Sequence, residues 1–230
     1  MSRVRVKICG VRTLEEAEAA VDAGADALGF NFWPRSPRYI APAAAREITR
    51  HLAPLVSLVG VFVNEVRERV IEIAEQIGLH AVQLHGDEAP AYCEGIDAVR
   101  VIKALRVGEG FDCREIEKYK VSMILLDTNV RGSYGGTGHR FDWRVAIEAK
   151  RYAPLMLAGG LRVENIAEAI TAVRPAAIDV CSGIEAEPGR KDLRKLREFM
   201  LAVARANAAL SDQIDNIATK TPGHKENCDS

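Results

Sequence analysis

The chain has 230 residues, 48% of them hydrophobic and 27% charged, and 31 Lys and Arg against 32 Asp and Glu give a formal net charge of -1. This is the composition of one soluble globular domain or at most two small ones, and its interspersed charges form no basic patch able to neutralise a run of phosphates, which argues against a nucleic-acid partner. The longest nearly unbroken apolar run, 52–63, carries Pro54 and Ser57 and falls short of the roughly 20 residues a membrane-spanning helix needs, so no membrane partner is expected.

The elements are read in chain order. Residues 4–9 form a β-rich run, and Met1 to Val6 alternates Arg with Val and so lacks both the apolar stretch and the small-residue cleavage site of a signal peptide, so a cytoplasmic location is expected. A helix follows over 13–23, opened by Thr13 with Glu16 three residues on in the pattern of a capping box, and stopped at Gly24. Strands are predicted at 27–32 and 55–63, and Asn64 then serves as the expected N-cap of a helix running to Ile77 and stopped at Gly78. Further strands are predicted at 80–84, 99–104, 123–127, 155–158 and 177–181, with helical segments between most of them. The last helix is expected over 193–210, and the polar stretch 211–230 as a disordered tail.

Eight strands whose ends recur about every 25 residues suit a (βα)8 TIM barrel formed as a single domain over 1–210. An open doubly wound sheet is the alternative. It is disfavoured because no G-x-G-x-x-G follows the first strand and because the unit count is eight. The five cysteines (Cys9, Cys93, Cys113, Cys181, Cys228) are odd in number and never in a C-x-x-C pair, which predicts reduced thiols and no zinc site.

In such a barrel the active site lies at the C-terminal ends of the strands, so the polar residues that end them are the candidates. The ends carry Lys7 and Cys9, Gln83 and His85, Lys103, Asp127, Gly159-Gly160, and Cys181-Ser182-Gly183. The two glycine turns fall after strands 7 and 8, where barrel enzymes bind phosphate through backbone N–H groups, although each alone also reads as a tight turn. Cys9 is either a small buried core residue or, beside Lys7 at the mouth, a thiol able to act as base or nucleophile. Asp127 ends an apolar strand, where a carboxyl leaves water and can serve in proton transfer or cap the next loop. The glycine-rich segment 128–140 reads as a mobile lid. Trp33 to Arg38 offers Arg35 and Arg38 as carboxylate clamps.

At these strand ends the sequence resembles the phosphoribosylanthranilate isomerase family of tryptophan biosynthesis, over Lys7 to about Leu196. The likeness is carried by Lys7-Ile8-Cys9-Gly10, Ser36-Pro37-Arg38, Val59-Gly60-Val61-Phe62-Val63, Gln83-Leu84-His85-Gly86, Leu126-Asp127, Gly135-Gly136-Thr137-Gly138, Ala158-Gly159-Gly160-Leu161 and the stretch from Asp179 to Asp192. The resemblance implies an Amadori rearrangement of N-(5-phosphoribosyl)anthranilate to 1-(2-carboxyphenylamino)-1-deoxyribulose 5-phosphate with no cofactor and no metal. It also implies Asp127 as general acid, Cys9 as general base, Arg38 for the anthranilate carboxylate, and Gly159, Gly160, Ser182 and Gly183 for the phosphate. The expected partner is that small phosphoribosyl compound, with no obligate protein partner. One departure is Cys181, where the family usually has Ser. The histidine-pathway isomerase is a rival whose base is Asp on strand 1, where this chain has Cys9, and a phosphosugar-binding barrel without catalysis is another.

Overall fold

In the computed structural model, which describes residues 3–128 and 142–218, eight parallel strands close into a barrel. They are β1 (Arg5–Cys9), β2 (Ala27–Asn31), β3 (Ser57–Phe62), β4 (Ala81–Leu84), β5 (Arg100–Val107), β6 (Met123–Thr128), β7 (Leu155–Leu157) and β8 (Ala177–Val180). Each strand pairs with the next in sequence, and β1 closes on β8 with Lys7 opposite Asp179 and Ile8 opposite Val180. The predicted (βα)8 barrel is therefore the fold. Around it run α1 (Leu14–Asp22), α2 (Pro42–Arg50), α3 (Arg67–Ile77), α4 (Pro90–Glu94), α5 (Trp143–Ala149), α6 (Ile166–Val173) and α7 (Leu193–Ala218). A 3₁₀ turn at Cys113–Lys118 stands between β5 and β6, and another at Ser182–Ile184 leads into the small antiparallel pair β9 (Glu185–Glu187) and β10 (Arg190–Lys191).

Side chains alternate across each strand, so one parity faces the helices and the other the barrel interior. On the outward side, Val6 and Ile8, Leu28 and Phe30, Ile124 and Leu126, and Ile178 and Val180 join the large core packed under the helices. On the inward side, Val59, Ala81, Ile102, Ala104, Leu125, Met156, Ala158 and Ala177 make a second, smaller cluster. Both faces are thus apolar through the body of the barrel, and the strands read as continuous hydrophobic runs. Polar residues enter the inward parity towards the strand C-termini, and this is what collects them at one mouth.

Local chemistry explains two of the helix ends directly. Thr13 caps α1 by accepting from the Glu16 N–H at 3.2 Å. The Glu16 carboxylate does not complete the box. It accepts from Arg12 N–H and Lys191 N–H, each at 2.8 Å, and so pins the start of α1 to β10. Gly78 ends α3 in the left-handed conformation, φ 76, where a Cβ would be unfavourable.

Two sequence expectations are corrected. Asn64 does not cap α3, whose N-cap residue is Val66. Asn64 instead sits at φ 50, a conformation asparagine tolerates better than most residues, and its Oδ1 accepts from the Asp87 N–H at 2.7 Å. The last helix also runs past 210 to Ala218. Leu210, Ile214 and Ile217 recur at helical spacing there, a pattern masked by the polar residues between them. The predicted lid segment, apart from Thr128, and the chain beyond 218 lie outside the described residues. Among the described residues no helix is long and apolar enough to cross a membrane.

Candidate active site

The inward parity of the strand ends gathers Cys9, Asn31, Val61, Gln83, His85, Asp127, Ala158, Asp179 and Cys181 around one cavity, with Ser36, Arg38, Gly159, Gly160 and Ser182 from the following loops. The space between these residues is about 640 Å³ and includes open solvent at the mouth. Of the sequence-predicted residues, Cys9, Asp127, Arg38, Gly159, Gly160 and Ser182 all line it. Gly183 does not.

Cys9 and Lys7 project inward from β1, two residues apart. Lys7 is fully buried and its Nζ donates to Asp179 Oδ1 at 2.8 Å, across the seam where β1 meets β8. Burial works against the Lys7 charge, but Asp179 and Cys9 outweigh it and hold the ammonium above its ordinary range. Room for this arrangement comes from Gly29 on β2. A Cβ there would lie 2.9 Å from Lys7 Cε and 3.1 Å from Cys9 Sγ.

The Cys9 thiol is held well below its ordinary range by a hydrogen bond from Cys181, which outweighs the opposing burial together with the nearby Lys7 and Lys191 ammonium groups. Cys181 is correspondingly pushed up, by that hydrogen bond first and by burial second. Asp179 is pushed up to about 6 by burial and by the Cys9 anion, against the pull of Lys7. The cluster is therefore set up to hold negative charge on sulfur, and the Lys7 ammonium favours it on Cys9.

Asp127 stands three strands away around the barrel. Its Oδ1 accepts from the Thr128 N–H at 2.8 Å, and Oδ2 lies 3.3 Å from His85 Nε2, a close approach off the ideal hydrogen-bond line. His85 Nδ1 is 2.7 Å from Gln83 Nε2. An amide N–H donated to Nδ1 leaves the ring proton on Nε2, facing Asp127.

Arg38 is gripped by Glu185, with Nε donating to Oε1 at 2.8 Å and Nη2 to Oε2 at 2.7 Å. Lys191 adds a third contact to Glu185 Oε1 at 3.1 Å. These contacts outweigh the burial of Glu185 and hold its carboxyl below the usual range, so Arg38 rests on a charged carboxylate.

The two glycine turns meet at one side of the mouth. Gly159 and Gly160 sit at φ 82 and φ 64, and Asn165 braces them by donating to Gly160 O at 2.8 Å while accepting from Arg162 N–H at 2.9 Å. A Cβ on Gly183 would lie 1.9 Å from Leu161 O. The missing side chain at Gly183 therefore lets the turn after β8 close against the turn after β7. Lys103, expected at a strand end, instead lies within β5, which runs on to Val107, and it does not line the cavity but binds Gly86 O at 2.9 Å and Glu88 Oε2 at 2.7 Å.

Sequence reasoning passed over Gly29, Glu185, Lys191 and Asn165. The first needs the β1–β2 register, since Lys7 pairs with Ala27 and Cys9 with Gly29. Glu185 and Lys191 lay inside a stretch that carried the family likeness, but Glu185 meets its partner Arg38 147 positions away.

Comparison with known proteins shows the family. Residues 6–202 match the family model described as N-(5'phosphoribosyl)anthranilate (PRA) isomerase. A relative named N-(5'-phosphoribosyl)anthranilate isomerase from Geobacter sp. is 52% identical over 196 residues, covering 85% of this chain and 96% of the relative. The crystal structure of phosphoribosyl anthranilate isomerase from Thermotoga maritima superposes with a TM-score of 0.82 at 44% identity, covering 88% of this chain and 99% of that one. A structure of such an isomerase in complex with reduced 1-(o-carboxyphenylamino)-1-deoxyribulose 5-phosphate superposes with a TM-score of 0.79, again at 44% identity and with the same coverage. This chain belongs to the N-(5'-phosphoribosyl)anthranilate isomerase family.

Proposed function

We propose that the cavity performs the Amadori rearrangement of N-(5-phosphoribosyl)anthranilate to 1-(2-carboxyphenylamino)-1-deoxyribulose 5-phosphate, with Asp127 as general acid and Cys9 as general base. The observation that carries this reading is the placement of Cys9 and Asp127 at one mouth, three strands apart, with the Gly159-Gly160 turn, Ser182 and Arg38 lining the same cavity.

The steps follow from that placement. Asp127, with His85 behind it, delivers a proton to the furanose ring oxygen, and the ring opens to a protonated Schiff base. The positive nitrogen acidifies the C2' hydrogen. The Cys9 thiolate then removes that proton to give an enolamine, which tautomerises to the ketone. Lys7, Lys191 and the Cys181 S–H favour the thiolate, and Asp179 balances Lys7 so that the ammonium stays fixed.

Binding is divided between two ends. Backbone N–H groups of the turns at Gly159-Gly160 and Ser182-Gly183 take the phosphate, since glycine lets the chain approach an anion closely. Arg38, oriented by Glu185, takes the anthranilate carboxylate through the guanidinium edge that Glu185 leaves open. The reading sets the reaction in a reducing cytoplasm, supported by the free state of all four described cysteines.

The test is to generate phosphoribosylanthranilate in the presence of the purified protein and follow loss of its fluorescence. Turnover well above spontaneous decay is expected. Decay at the spontaneous rate would overturn the reading.

A further inference from the structure

Cys181 transfers no proton and holds no part of the substrate in the reaction just described, where it only favours the Cys9 thiolate, and it shares the cavity with that base. The β1–β8 register sets Lys7 opposite Asp179 and Ile8 opposite Val180, so Cys9 and Cys181 are the next residues of the two paired chains, Cys181 standing just past the end of β8. Adjacent strands lie about 4.8 Å apart, inside the roughly 4.4–6.8 Å between Cα atoms that a disulfide spans. Both side chains have the inward parity and line the same cavity. The two thiols are close enough that each shifts the other's titration, and Cys181 Sγ donates to Glu185 Oε1 at 3.7 Å. The Lys191 ammonium lies 3.6 Å from Cys181 Sγ.

From this juxtaposition we propose that Cys9 and Cys181 form a peroxide-sensitive pair, in which oxidation joins them in a disulfide that caps the base and reduction releases it. The oxidant class is a small hydroperoxide, which the open mouth admits. In the first step the Cys9 thiolate attacks one peroxide oxygen and the O–O bond breaks. Cys9 becomes a sulfenic acid, and the departing hydroxide leaves as water after taking a proton from solvent. In the second step the Cys181 sulfur attacks the Cys9 sulfur and the S–O bond breaks. The S–S bond forms, and the displaced hydroxide leaves as water with the Cys181 proton. Two thiols lose two electrons and one hydroperoxide gains them. Lys191 supports the second step by stabilising negative charge as it develops on Cys181.

Two other buried cysteines show why this pair is singled out. Cys93 and Cys113 belong to the core under the helices, away from the mouth, and burial pushes both thiols up. A thiol that stays protonated reacts slowly with peroxide. Without a partner thiol, a sulfenic acid at Cys9 would be open to further oxidation to the sulfinic acid, which thiols do not reverse. Cys181 therefore turns an irreversible lesion into a reversible state.

The loss of activity, though not the disulfide itself, rests on Cys9 being the base. The full-length protein is treated with a few equivalents of hydrogen peroxide, digested without reduction, and its peptides and isomerase activity are measured in parallel. The expected result is a cross-linked Cys9–Cys181 peptide two hydrogens lighter than its parts, activity falling in proportion to the cross-linked fraction, and recovery with dithiothreitol. In Cys181→Ser, the Cys9 peptide should gain two oxygens and whatever activity the variant has should be lost beyond rescue by dithiothreitol. Peroxide inactivation of the parent without the cross-linked peptide, or Cys181→Ser recovering as fully as the parent, would overturn the proposal. Complete cross-linking with full activity would uphold the disulfide and overturn the role of Cys9 as base.

Discussion

Arg38 and Glu185 are joined by two parallel hydrogen bonds of 2.8 and 2.7 Å that use the Nε and Nη2 side of the guanidinium. This fixes the plane of the group and leaves Nη1 uncommitted among the described residues, at the wall of the cavity. Arg38→Ala should weaken substrate binding by about 1.5–3 kcal/mol, the range for hydrogen bonds to charged groups. Arg38→Lys should not recover it, because a single ammonium cannot bridge Glu185 and a planar carboxylate together. Glu185→Gln should raise KM by a smaller factor. Steady-state kinetics decide, and an Arg38→Lys variant with parental KM would refute the planar clamp.

Asn165 reaches Gly160 O and Arg162 N–H through its side chain, besides a backbone bond to Arg162 O. Asn165→Ala should therefore raise KM, and the inhibition constant for inorganic phosphate with it, by the factor that about 1–2 kcal/mol represents, two hydrogen bonds being lost. The effect on kcat should be small. Gly183→Ala is a harsher change, since the new Cβ would meet the Leu161 carbonyl and push the two turns apart. A parental phosphate inhibition constant in both variants would move the phosphate away from these turns.

The Cys9 anion pushes Asp179 up, and since two anions near one ammonium repel reciprocally, the Asp179 charge opposes the thiolate in turn. Asp179→Asn removes one of them, so the thiolate of Cys9 becomes easier to form. The acidic limb of the kcat/KM profile should then move to lower pH, by about one unit, the low end of a close-charge effect. An unmoved limb, or one shifted to higher pH, would show that Asp179 does not act on Cys9.

Gly29→Ala tests the packing that supports the base. The added methyl would lie within 3.1 Å of Cys9 Sγ and closer still to the end of Lys7. Because Lys7 is enclosed, it cannot swing aside as an exposed lysine would. Overpacking of this kind costs about 1–3 kcal/mol of stability, and kcat should fall more than thermal stability alone accounts for. Full activity in a folded Gly29→Ala protein would mean the Lys7–Cys9 geometry is dispensable.

The strand count, the strand ends and the residues at the mouth were legible because each depends on local pattern and on a fold that repeats. Parity then carries Cys9, Asp127 and Cys181 to the same side without further information. What was not legible depends on contacts made at long range. Glu185 is an ordinary surface carboxylate until β8 leads into β9 beside Arg38, and Gly29 is an ordinary strand glycine until the register sets it against Cys9. Cys181 stood out only as a departure from the family's serine. Its contact with Cys9 follows from barrel closure, which makes the first and last strands neighbours. Asn64 was misread for a different reason, since asparagine serves equally as a helix cap and as a left-handed turn residue.

The central claim is that Cys9 removes the C2' proton, and kcat of Cys9→Ser measured beside its thermal unfolding tests it most directly. Serine nearly matches cysteine in size but is too weak an acid to ionise near neutral pH, so it keeps the packing and removes the base. The account predicts a folded protein of near-parental stability whose kcat falls by at least the ~10² to 10⁴ typical of a positioned proton-transfer group. A folded Cys9→Ser protein that retains near-parental kcat would contradict it and leave Cys9 as a residue of the barrel wall.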